Sequence, residues 1–491
     1  MSDTIAKTAQ KTGTTAVQRC IVPACAAAFG IREQIYVCGR CGGPLEIEIP
    51  LELLKSVPNL RERWHARAAS HEPRDRGGVW RFRELLPFDD DVPVVTLFEG
   101  NTPIYDAPRS AKYAGVTALR LKHQGCNPTA SFKDTGMTTA VTQAKLLGAR
   151  TVVCASTGNT AASLAAYAAR AELQCAILLP QGQISPAKLA QSMDYGAVVC
   201  EIAGNFDDCM RLISELAVVP SIYVANSINP FRIEGQKTVA FELLAQCDWR
   251  VPDHVVVPGG NMGNSSALGK GFDEILRLGL IDRLPKISVI QAEGSAPLAH
   301  LFARLKPSEF AADAALPDEI VAVANPRTLA TAIKIGAPVS WKKALRAVLR
   351  THGSIITVSE QEIADAKAII GQDGIGCEPA SATTVAGIRK LVAAGKIHVG
   401  ESVVAVLTGH VLKDPDYVSQ YHRGTLSFES VTAEGTAKTV QVSGAFRNAP
   451  EKVTATKEAI LKSLESRRKS REFGYAKNAG IKFPGRLHKH P

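Results

Sequence analysis

Eight short apolar runs, each followed by a loop and a longer helical pattern, constrain the fold of this chain more than any other feature. The runs read TALRLKH, RTVVCAS, CAILLP, AVVCEI, SIYVAN, HVVVPGG, KISVIQAE and VVAVLTG. Their apolar character is nearly continuous rather than alternating, which is typical of strands buried on both faces of a parallel sheet. The sequence therefore predicts an α/β protein with one large or two smaller doubly wound sheets.

Length and composition indicate a globular protein of ordinary type. The 491 residues are 45% hydrophobic, which leaves room for two or three domains with a sizeable core. The N-terminal segment MSDTIAKTAQKTGTTAVQ lacks the apolar core of a signal peptide and is predicted to be disordered. No later stretch reaches ~18 apolar residues without a charge or a breaker. We therefore expect a soluble, cytoplasmic protein with no membrane partner.

The stretch from Leu51 to about Asp90 has a different character from the rest. It combines polar helical patterns, rich in Arg and Glu, with the breaker-rich segment HEPRDRGG. This composition favours connecting structure rather than core.

The positive charge is concentrated at the C-terminus. The formal net charge is +10, and from Asn448 onward the sequence has 11 Lys or Arg against 4 Asp or Glu. We interpret 441–491 as a basic tail in which segments such as RRKSRE are solvated, with an anion-binding or partner-docking role as the alternative. Because the rest of the chain carries little net charge, we expect no nucleic-acid partner.

Four of the 11 cysteines form two close pairs within the first 50 residues. Cys20 and Cys25 are the first pair, and Cys38 and Cys41, followed by two glycines, are the second, 12 residues further on. Two such thiolate pairs match a structural zinc ribbon, and a cysteine-bearing unit without metal is the alternative. The other seven cysteines are dispersed, as expected for reduced thiols.

Ligands of parallel sheets bind at the carboxyl ends of the strands, so the loops after the apolar runs are the places to look for chemistry. The first reads QGCNPTASFKD and leads into a helical pattern starting near Ser131. Lys133 lies in the first turn, where the positive field of the helix terminus favours a neutral amine suited to Schiff-base chemistry. A surface ion pair between Lys133 and Asp134 is the alternative.

Two further loops have the composition of anion sites. STGNT places Ser156, Asn159 and Thr160 at the start of an Ala-rich helix, either as an anion site or as a simple helix cap. The segment GGNMGN, 259–264, has glycines that let backbone amides approach a phosphate closely. It lacks the spacing of a dinucleotide or Walker loop, so we expect a phosphate rather than a nucleotide.

The fourth loop follows the run VVAVL and reads Thr408-Gly409-His410. A threonine hydroxyl at a strand end can bond a ring nitrogen while remaining uncharged. We interpret His410 as a structural histidine rather than a catalytic base.

The order of these loops resembles the tryptophan-synthase-β fold type of pyridoxal-phosphate enzymes, and within it the threonine synthase family. The similarity rests on NPTASFKDTGMT, STGNTAASLAAYAA, NSINPFRIEGQKT, VPGGNMGN, TLATAIKIGAPVSW and LTGHVLKDP, spread from about Leu97 to Pro415. It implies two doubly wound α/β domains, a large one from 51–120 and 231–440 and a smaller one from 121–230, beside the cysteine unit in 1–50. Thr135, after the Lys-Asp pair, makes this loop most similar to the plant-type branch.

The resemblance also implies a role for each site residue. Lys133 is expected to form the Schiff base with pyridoxal 5'-phosphate and to move protons, and Asn159 to bond the cofactor's phenolic oxygen. Thr408 is expected to face the pyridine nitrogen as a neutral partner. The cofactor phosphate is assigned to Gly259, Gly260, Asn261, Met262 and Gly263. The substrate is assigned to Ser156, Thr160, Asn226, Ser227, Arg232 and Asn264, with the Arg232 fork suited to a phosphoryl group.

The activity implied is that of a homodimeric lyase of threonine biosynthesis. It eliminates phosphate from O-phosphohomoserine and adds water to give L-threonine. Another enzyme of the same fold type, such as a threonine dehydratase, a cysteate synthase or a sulfhydrylase, is the alternative. For Arg232, a surface ion pair with Glu234 is the simpler alternative to a role in substrate binding.

Overall fold

A computed structural model of the protein describes residues 16–182, 186–305, 316–431 and 437–466. Residues 1–15 of the predicted disordered start and the RRKSRE segment of the predicted tail lie outside these ranges. The strands are β1 Val17–Cys20, β2 Ala28–Gly30, β3 Leu45–Glu48, β4 Ile104–Asp106, β5 Leu119–His123, β6 Thr151–Ala155, β7 Gln174–Pro180, β8 Val198–Ile202, β9 Ile222–Val224, β10 His254–Pro258, β11 Lys286–Ala292, β12 Ile355–Val358, β13 Val403–Leu407, β14 Ser427–Val431 and β15 Ala437–Gln441.

The α-helices alternate with these strands over most of the chain. They are α1 Leu51–Lys55, α2 Leu60–Ala68, α3 Pro108–Ala114, α4 Lys133–Leu146, α5 Asn159–Ala171, α6 Pro186–Asp194, α7 Phe206–Leu216, α8 Pro230–Gln246, α9 Gly263–Arg277, α10 Pro297–Arg304, α11 Trp341–Arg350, α12 Glu360–Gln372, α13 Pro379–Ala393 and α14 Pro415–Arg423. Among the described residues, no helix combines the length and the apolar character needed to span a membrane.

Two parallel sheets form the body of the protein. The larger has six strands in the order β12-β11-β10-β13-β5-β4, all parallel except the edge strand β4. The smaller has four parallel strands in the order β8-β7-β6-β9. Apolar clusters cover both faces of the larger sheet, so it is doubly wound. The predicted α/β class with two sheets is confirmed.

All eight apolar runs form strands of these sheets, whereas β4 and β12 were not predicted. Most of β4 is exposed because it lies at the sheet edge, and β12 lies at the opposite edge with two of its four residues only half-buried. Edge strands are partly exposed and need no continuous apolar run. A prediction based on such runs therefore misses them. β5 lies in the larger sheet, next to β13.

The prediction that residues 51–90 form connecting structure rather than core is wrong. Trp64 and Phe82 are at most 2% exposed and pack with Phe241 of α8 in the main apolar cluster. Trp80 is also buried, and its indole N–H donates to the Thr138 hydroxyl (2.7 Å). A few large aromatic side chains therefore anchor a stretch whose average composition is polar.

Helices α4 and α8 cross in direct backbone contact. A Cβ atom on Gly235 of α8 would lie only 1.8 Å from the Thr135 carbonyl oxygen of α4 and 2.6 Å from the Thr139 hydroxyl oxygen. A Cβ on Gly136 of α4 would lie 2.8 Å from the Arg232 carbonyl oxygen. No side chain larger than hydrogen fits at this crossing. The first turns of the two helices, which carry Lys133 and Arg232, are therefore held side by side.

A buried charge network joins α8 to α9. The Lys237 ammonium is fully buried and donates to Glu234 (2.6 Å) and to Glu274 (2.9 Å). Lys270 of α9 forms a second ion pair with Glu234. Each buried carboxylate of this network has a cationic partner. The network therefore favours one position of α8 along α9.

We expect Gly235→Ala to destabilise the protein by about 1–3 kcal/mol, because the added methyl group must push α8 away from α4. Gly371→Ala is the matched control, since a Cβ at that helical position meets nothing within 4 Å. The control should leave stability unchanged or raise it by up to about 1 kcal/mol. Urea unfolding of both variants measures the difference. Equal stability of the two would show that the crossing tolerates a methyl group.

Candidate active site

The loops after β5 and β13 meet at the carboxyl end of the larger sheet. The Phe132 N–H donates to the Thr408 carbonyl oxygen (2.9 Å), and the His410 N–H donates to the Ala130 carbonyl oxygen (3.0 Å). The His410 ring stacks on the His123 ring, with centroids 6.1 Å apart. These contacts place the Lys133 loop beside the Thr408 loop. They also agree with a structural role for His410.

Lys133 is the first residue of α4, and its ammonium form is disfavoured. Burial and, to a smaller extent, the nearby Arg232 guanidinium lower the pKa of Lys133, Glu378 opposes both effects, and the resulting pKa is about 7. The sequence predicted a neutral amine from the helix field, and the structure adds burial and Arg232 as causes. A neutral amine near pH 7 can act as a nucleophile or as a base.

Asp134 is not an ion-pair partner of Lys133. Its buried carboxylate accepts bonds from the Thr129 N–H (2.7 Å) and hydroxyl (2.5 Å) and from the Ser163 hydroxyl (2.6 Å). Asp134 therefore ties the lysine loop to α5. The surface ion pair between Lys133 and Asp134 is not formed, because the Asp134 carboxylate is buried and is bonded to Thr129 and Ser163 instead.

A buried carboxylate that sequence reasoning missed lies between two of the predicted cofactor residues. Glu378 precedes α13 and accepts from the Asn159 amide N–H (3.0 Å) and from the Thr408 hydroxyl (3.0 Å). The Thr408 hydroxyl also contacts Ser381 (3.1 Å). Glu378 thus orients both partners at once. Its sequence signal, an acidic residue before the Pro of a helix, is also that of an ordinary helix start.

Arg232 is a buried guanidinium without a carboxylate partner among the described residues. Its Nη1 donates to the Ala225 carbonyl oxygen (3.1 Å), while its Nε has no partner. Burial lowers the pKa of Arg232 to about 10, with the Cys154 thiol opposing. Glu234 is instead paired with Lys237 and Lys270, so the simpler interpretation of Arg232 as its ion-pair partner is wrong. A buried, uncompensated cation of this kind is poised for an anion.

The 259–264 segment presents free amides at the start of the 15-residue helix α9. Among the described residues, the N–H groups of Asn261, Met262, Gly263 and Asn264 have no hydrogen-bond acceptor. The Gly259 N–H is already used by the Ile290 carbonyl oxygen (2.7 Å). Amides at a helix N-terminus bind phosphate, so the free N–H groups of 261–264 suit the phosphate predicted for this loop. The Gly260 N–H, predicted for the same loop, also has no acceptor among the described residues.

Five buried polar atoms around these residues lack hydrogen-bond partners. Such atoms are rare in folded proteins, so a group of them marks the place of a polar ligand. They are Gln124 Nε2, Asn159 Oδ1, Arg232 Nε, Gln236 Oε1 and Asn264 Oδ1. Gln124, a residue that the sequence did not single out, accepts from the Asn264 amide (3.2 Å).

The remaining predicted substrate residues lie at the ends of β6 and β9. The Asn226 amide both accepts from the Ala155 N–H (3.0 Å) and donates to its carbonyl oxygen (3.1 Å), which joins the two strand ends. The Ser156 hydroxyl accepts from the Gly158 N–H (3.2 Å). Thr160 is nearly buried in the first turn of α5, and Ser227 is half-buried. Asn226 thus has a structural role, whereas the Ser227 side chain is accessible to solvent.

The fold and the lysine that begins α4 define the class of the protein. Residues 95–409 match the family described as pyridoxal-phosphate dependent enzyme. A fungal L-serine ammonia-lyase from Rhizomucor miehei has a similar structure, with a TM-score of 0.54 and 16% identity over 68% of this chain and all of that one. This likeness shows the fold alone.

Sequence relatives narrow the class further. Threonine synthase of Methanocaldococcus jannaschii is 46% identical over 404 residues, covering 82% of this chain and 93% of that protein. Threonine synthase of Mycobacterium tuberculosis H37Rv is 45% identical over 350 residues, covering 71% and 91%. The chain belongs to the threonine synthase family. It is a pyridoxal-phosphate dependent lyase, which confirms the family, fold type and cofactor predicted from the sequence. The similarity to the plant-type branch stays a prediction.

The residues present fit pyridoxal phosphate. The four free amides of 261–264 suit its phosphate group, and the neutral amine of Lys133 suits its aldehyde. Asn159 and Thr408, both buried and both oriented by Glu378, offer polar groups for the ring. These are the residues that could hold the cofactor.

The ionisation of Lys133 is expected to respond in opposite directions to its two charged neighbours. In protein freed of cofactor, Lys133 should lose its proton with a midpoint at about pH 7. Arg232→Met removes a repelling charge and should raise the pKa, whereas Glu378→Gln removes an attracting charge and should lower it. Competitive acetylation followed by mass spectrometry measures the midpoint, with the exposed Lys396 as internal reference. Shifts of the same sign in both variants would contradict this electrostatic account.

Proposed function

We propose that this site converts O-phosphohomoserine and water into L-threonine and phosphate. The observation that carries the proposal is Arg232, a buried guanidinium without a carboxylate partner, which lies near enough to Lys133 to lower its pKa. The amides of 261–264 are suited to the cofactor phosphate, so Arg232 remains for a second anion. The threonine synthase activity predicted from the sequence agrees with the relatives that carry this name.

When bound, pyridoxal phosphate supplies an electron sink that stabilises negative charge on the carbon skeleton of the substrate. Lys133 would hold the cofactor, and the amides of 261–264 would bind its phosphate. Asn159 would bond the phenolic oxygen, and Thr408 would face the ring nitrogen. Because the Thr408 hydroxyl also donates to Glu378, its orientation is fixed before the cofactor arrives.

Lys133 is the base of the proposed reaction. Its neutral amine takes the proton from the α carbon of the substrate, and a proton then leaves the β carbon. The bond between the γ carbon and the phosphate oxygen breaks, and phosphate departs with that electron pair. The hydroxyl group of water joins the β carbon, and the remaining proton of the water goes to the departed phosphate. The two protons taken from the α and β carbons return to the α and γ carbons. Burial keeps the Lys133 amine neutral enough for the first transfer near pH 7.

Arg232 would bind the phosphoryl group of the substrate in a planar, charge-assisted contact. Its free Nε supports this role, because it is buried and has no acceptor in the protein. The polar groups proposed to complete the substrate site are Ser156, Thr160, Asn226, Ser227 and Asn264. Asn226 would act mainly by holding the strand ends together, since both of its amide atoms are bonded to Ala155.

We infer a cytoplasmic homodimer, as expected for this family. We also infer a smaller domain around the four-stranded sheet and a larger one around the six-stranded sheet. The described strands of the smaller sheet lie within 151–224, and those of the larger sheet lie within 104–123 and 254–407.

The activity is tested by combining spectroscopy with a phosphate assay. The purified protein with cofactor should absorb visible light and release phosphate from O-phosphohomoserine, with threonine formed in equal amount. Lys133→Ala should lose both properties because the cofactor has no amine to hold it. Deamination of threonine without release of phosphate would favour the dehydratase alternative.

The substrate role of Arg232 is tested by Arg232→Gln. Removing one charge-assisted contact should lower kcat/KM for O-phosphohomoserine by about 10- to 150-fold, the equivalent of about 1.5–3 kcal/mol. The visible spectrum should change little, because Arg232 is not assigned to the cofactor. Arg250→Gln, on a solvent-exposed arginine, is the matched control. An unchanged kcat/KM for Arg232→Gln would remove Arg232 from the substrate site.

A further inference from the structure

The four N-terminal cysteines converge on one point. Their sulfur atoms all lie within 4.8 Å of one another, and all four thiols are free. The closest contacts join a cysteine of one sequence pair to a cysteine of the other, Cys20 to Cys41 (3.5 Å) and Cys25 to Cys38 (3.7 Å). The edge of a zinc tetrathiolate is about 3.8 Å, from a Zn–S length of ~2.3 Å. The four sulfur atoms therefore lie close enough together for one metal ion to be shared by both pairs.

The backbone around the sulfurs is shaped to receive them. The Arg40 N–H donates to the Cys38 sulfur (3.4 Å), which stabilises a thiolate at that position. A Cβ on Gly43 would lie 3.2 Å from the Cys41 sulfur, 3.3 Å from the Cys20 sulfur and 2.7 Å from a methyl group of Val22. The second glycine after Cys41 is thus required by the close approach of backbone and sulfur.

The unit that carries these cysteines is too small to be stable through its own core. It has a three-stranded antiparallel sheet in the order β2-β1-β3, and its buried apolar cluster consists of Cys20, Ala27, Cys38 and Leu45. Units below about 40 residues usually need a metal, disulfides or a partner surface. Two members of the small cluster are themselves candidate ligands, so without a metal the core would have to bury free thiols.

One side of the unit is bonded to the smaller sheet and to the lysine helix. The Tyr36 hydroxyl accepts from the Val224 N–H of β9 (2.7 Å), and Gln34 donates to the Ile222 carbonyl oxygen (2.8 Å). Gln143 of α4 donates to the Ile31 carbonyl oxygen (2.9 Å). The segment before Cys38 therefore lies against the elements that carry Lys133 and the end of β9.

The other side of the unit is bonded to helices that cover the larger sheet. Lys343 of α11 donates to the Leu45 carbonyl oxygen (2.5 Å), and Arg346 of the same helix forms an ion pair with Glu46. Lys270 of α9 donates to the Ile47 carbonyl oxygen. The segment after Cys41 therefore lies against the helix that begins with the phosphate loop.

We propose that Cys20, Cys25, Cys38 and Cys41 bind one zinc ion as four thiolates, and that this closed site braces the N-terminal unit across the two sheets. Cys38 and Cys41 lie between the segment that contacts β9 and α4 and the segment that contacts α9 and α11. Fixing these two ligands fixes the distance between the two contact segments. The site has no open position, so its role is structural.

The first test measures metal and thiols in the full-length protein. Protein purified under reducing conditions should contain one zinc per chain, and a mercurial thiol reagent should release it. Cys41→Ser should reduce the zinc content to less than about half, because one of four ligands is lost. Cys200→Ser is the matched control, a partly exposed cysteine of the smaller sheet, and should keep one zinc. Protein that contains no zinc, and takes up none when zinc is added, would overturn the proposal, as would iron or two disulfides at these cysteines.

The second test asks whether zinc stabilises the contacts on both sides of the unit. It needs neither a variant that folds nor a measurement of activity. Removing zinc with a chelator from the cofactor-loaded protein should increase hydrogen exchange at 222–224 and at 341–350, on opposite sides of the unit. It should also lower the Tm by more than about 5 °C. Zinc added back should restore both. If zinc leaves and exchange in both segments stays unchanged, the bracing role is refuted while the metal site stands.

Discussion

The crossing of α4 and α8 is the contact on which the rest of the site depends. Because Gly235 and Gly136 let the two helix backbones touch, Lys133 and Arg232 begin neighbouring helices within reach of each other's electric fields. One cation then depresses the pKa of the other. In the proposed reaction, the same closeness would set the substrate's phosphate beside its reacting carbons, so that a packing constraint would determine where the chemistry takes place.

The central strands could be predicted because burial on both faces leaves a continuous apolar signature, as in HVVVP of β10. The stretch 51–90 could not, because its contribution to the core comes from isolated aromatic residues. Trp64 lies among Arg and Glu in LRERWHARA, so the average hydrophobicity of the helix gives no sign that this residue is buried. Only its contacts with Phe82 of the same stretch and with Phe241 of α8 show that it is core.

The candidate site was predictable to the extent that its residues carry local patterns. Lys133, the STGNT loop and the 259–264 loop all follow strands, and strand ends converge. Glu378 had no such signal, because a carboxylate at a helix start already has a simple explanation. Its importance comes from its two partners, Asn159 and Thr408, which lie 219 and 30 residues away. Unsatisfied atoms such as Arg232 Nε are likewise a property of the packed interior alone.

The contacts of the N-terminal cysteine unit also affect the order in which the chain folds. The unit is synthesised before the residues that it contacts, since the partner of Tyr36, Val224, follows 188 residues later, and the partner of Leu45, Lys343, follows 298 residues later. Contacts of such high sequence separation form late and slowly. This unit is therefore among the last parts of the chain to dock, and until then Tyr36 and Ile47, which belong to apolar clusters of the body, are open to solvent.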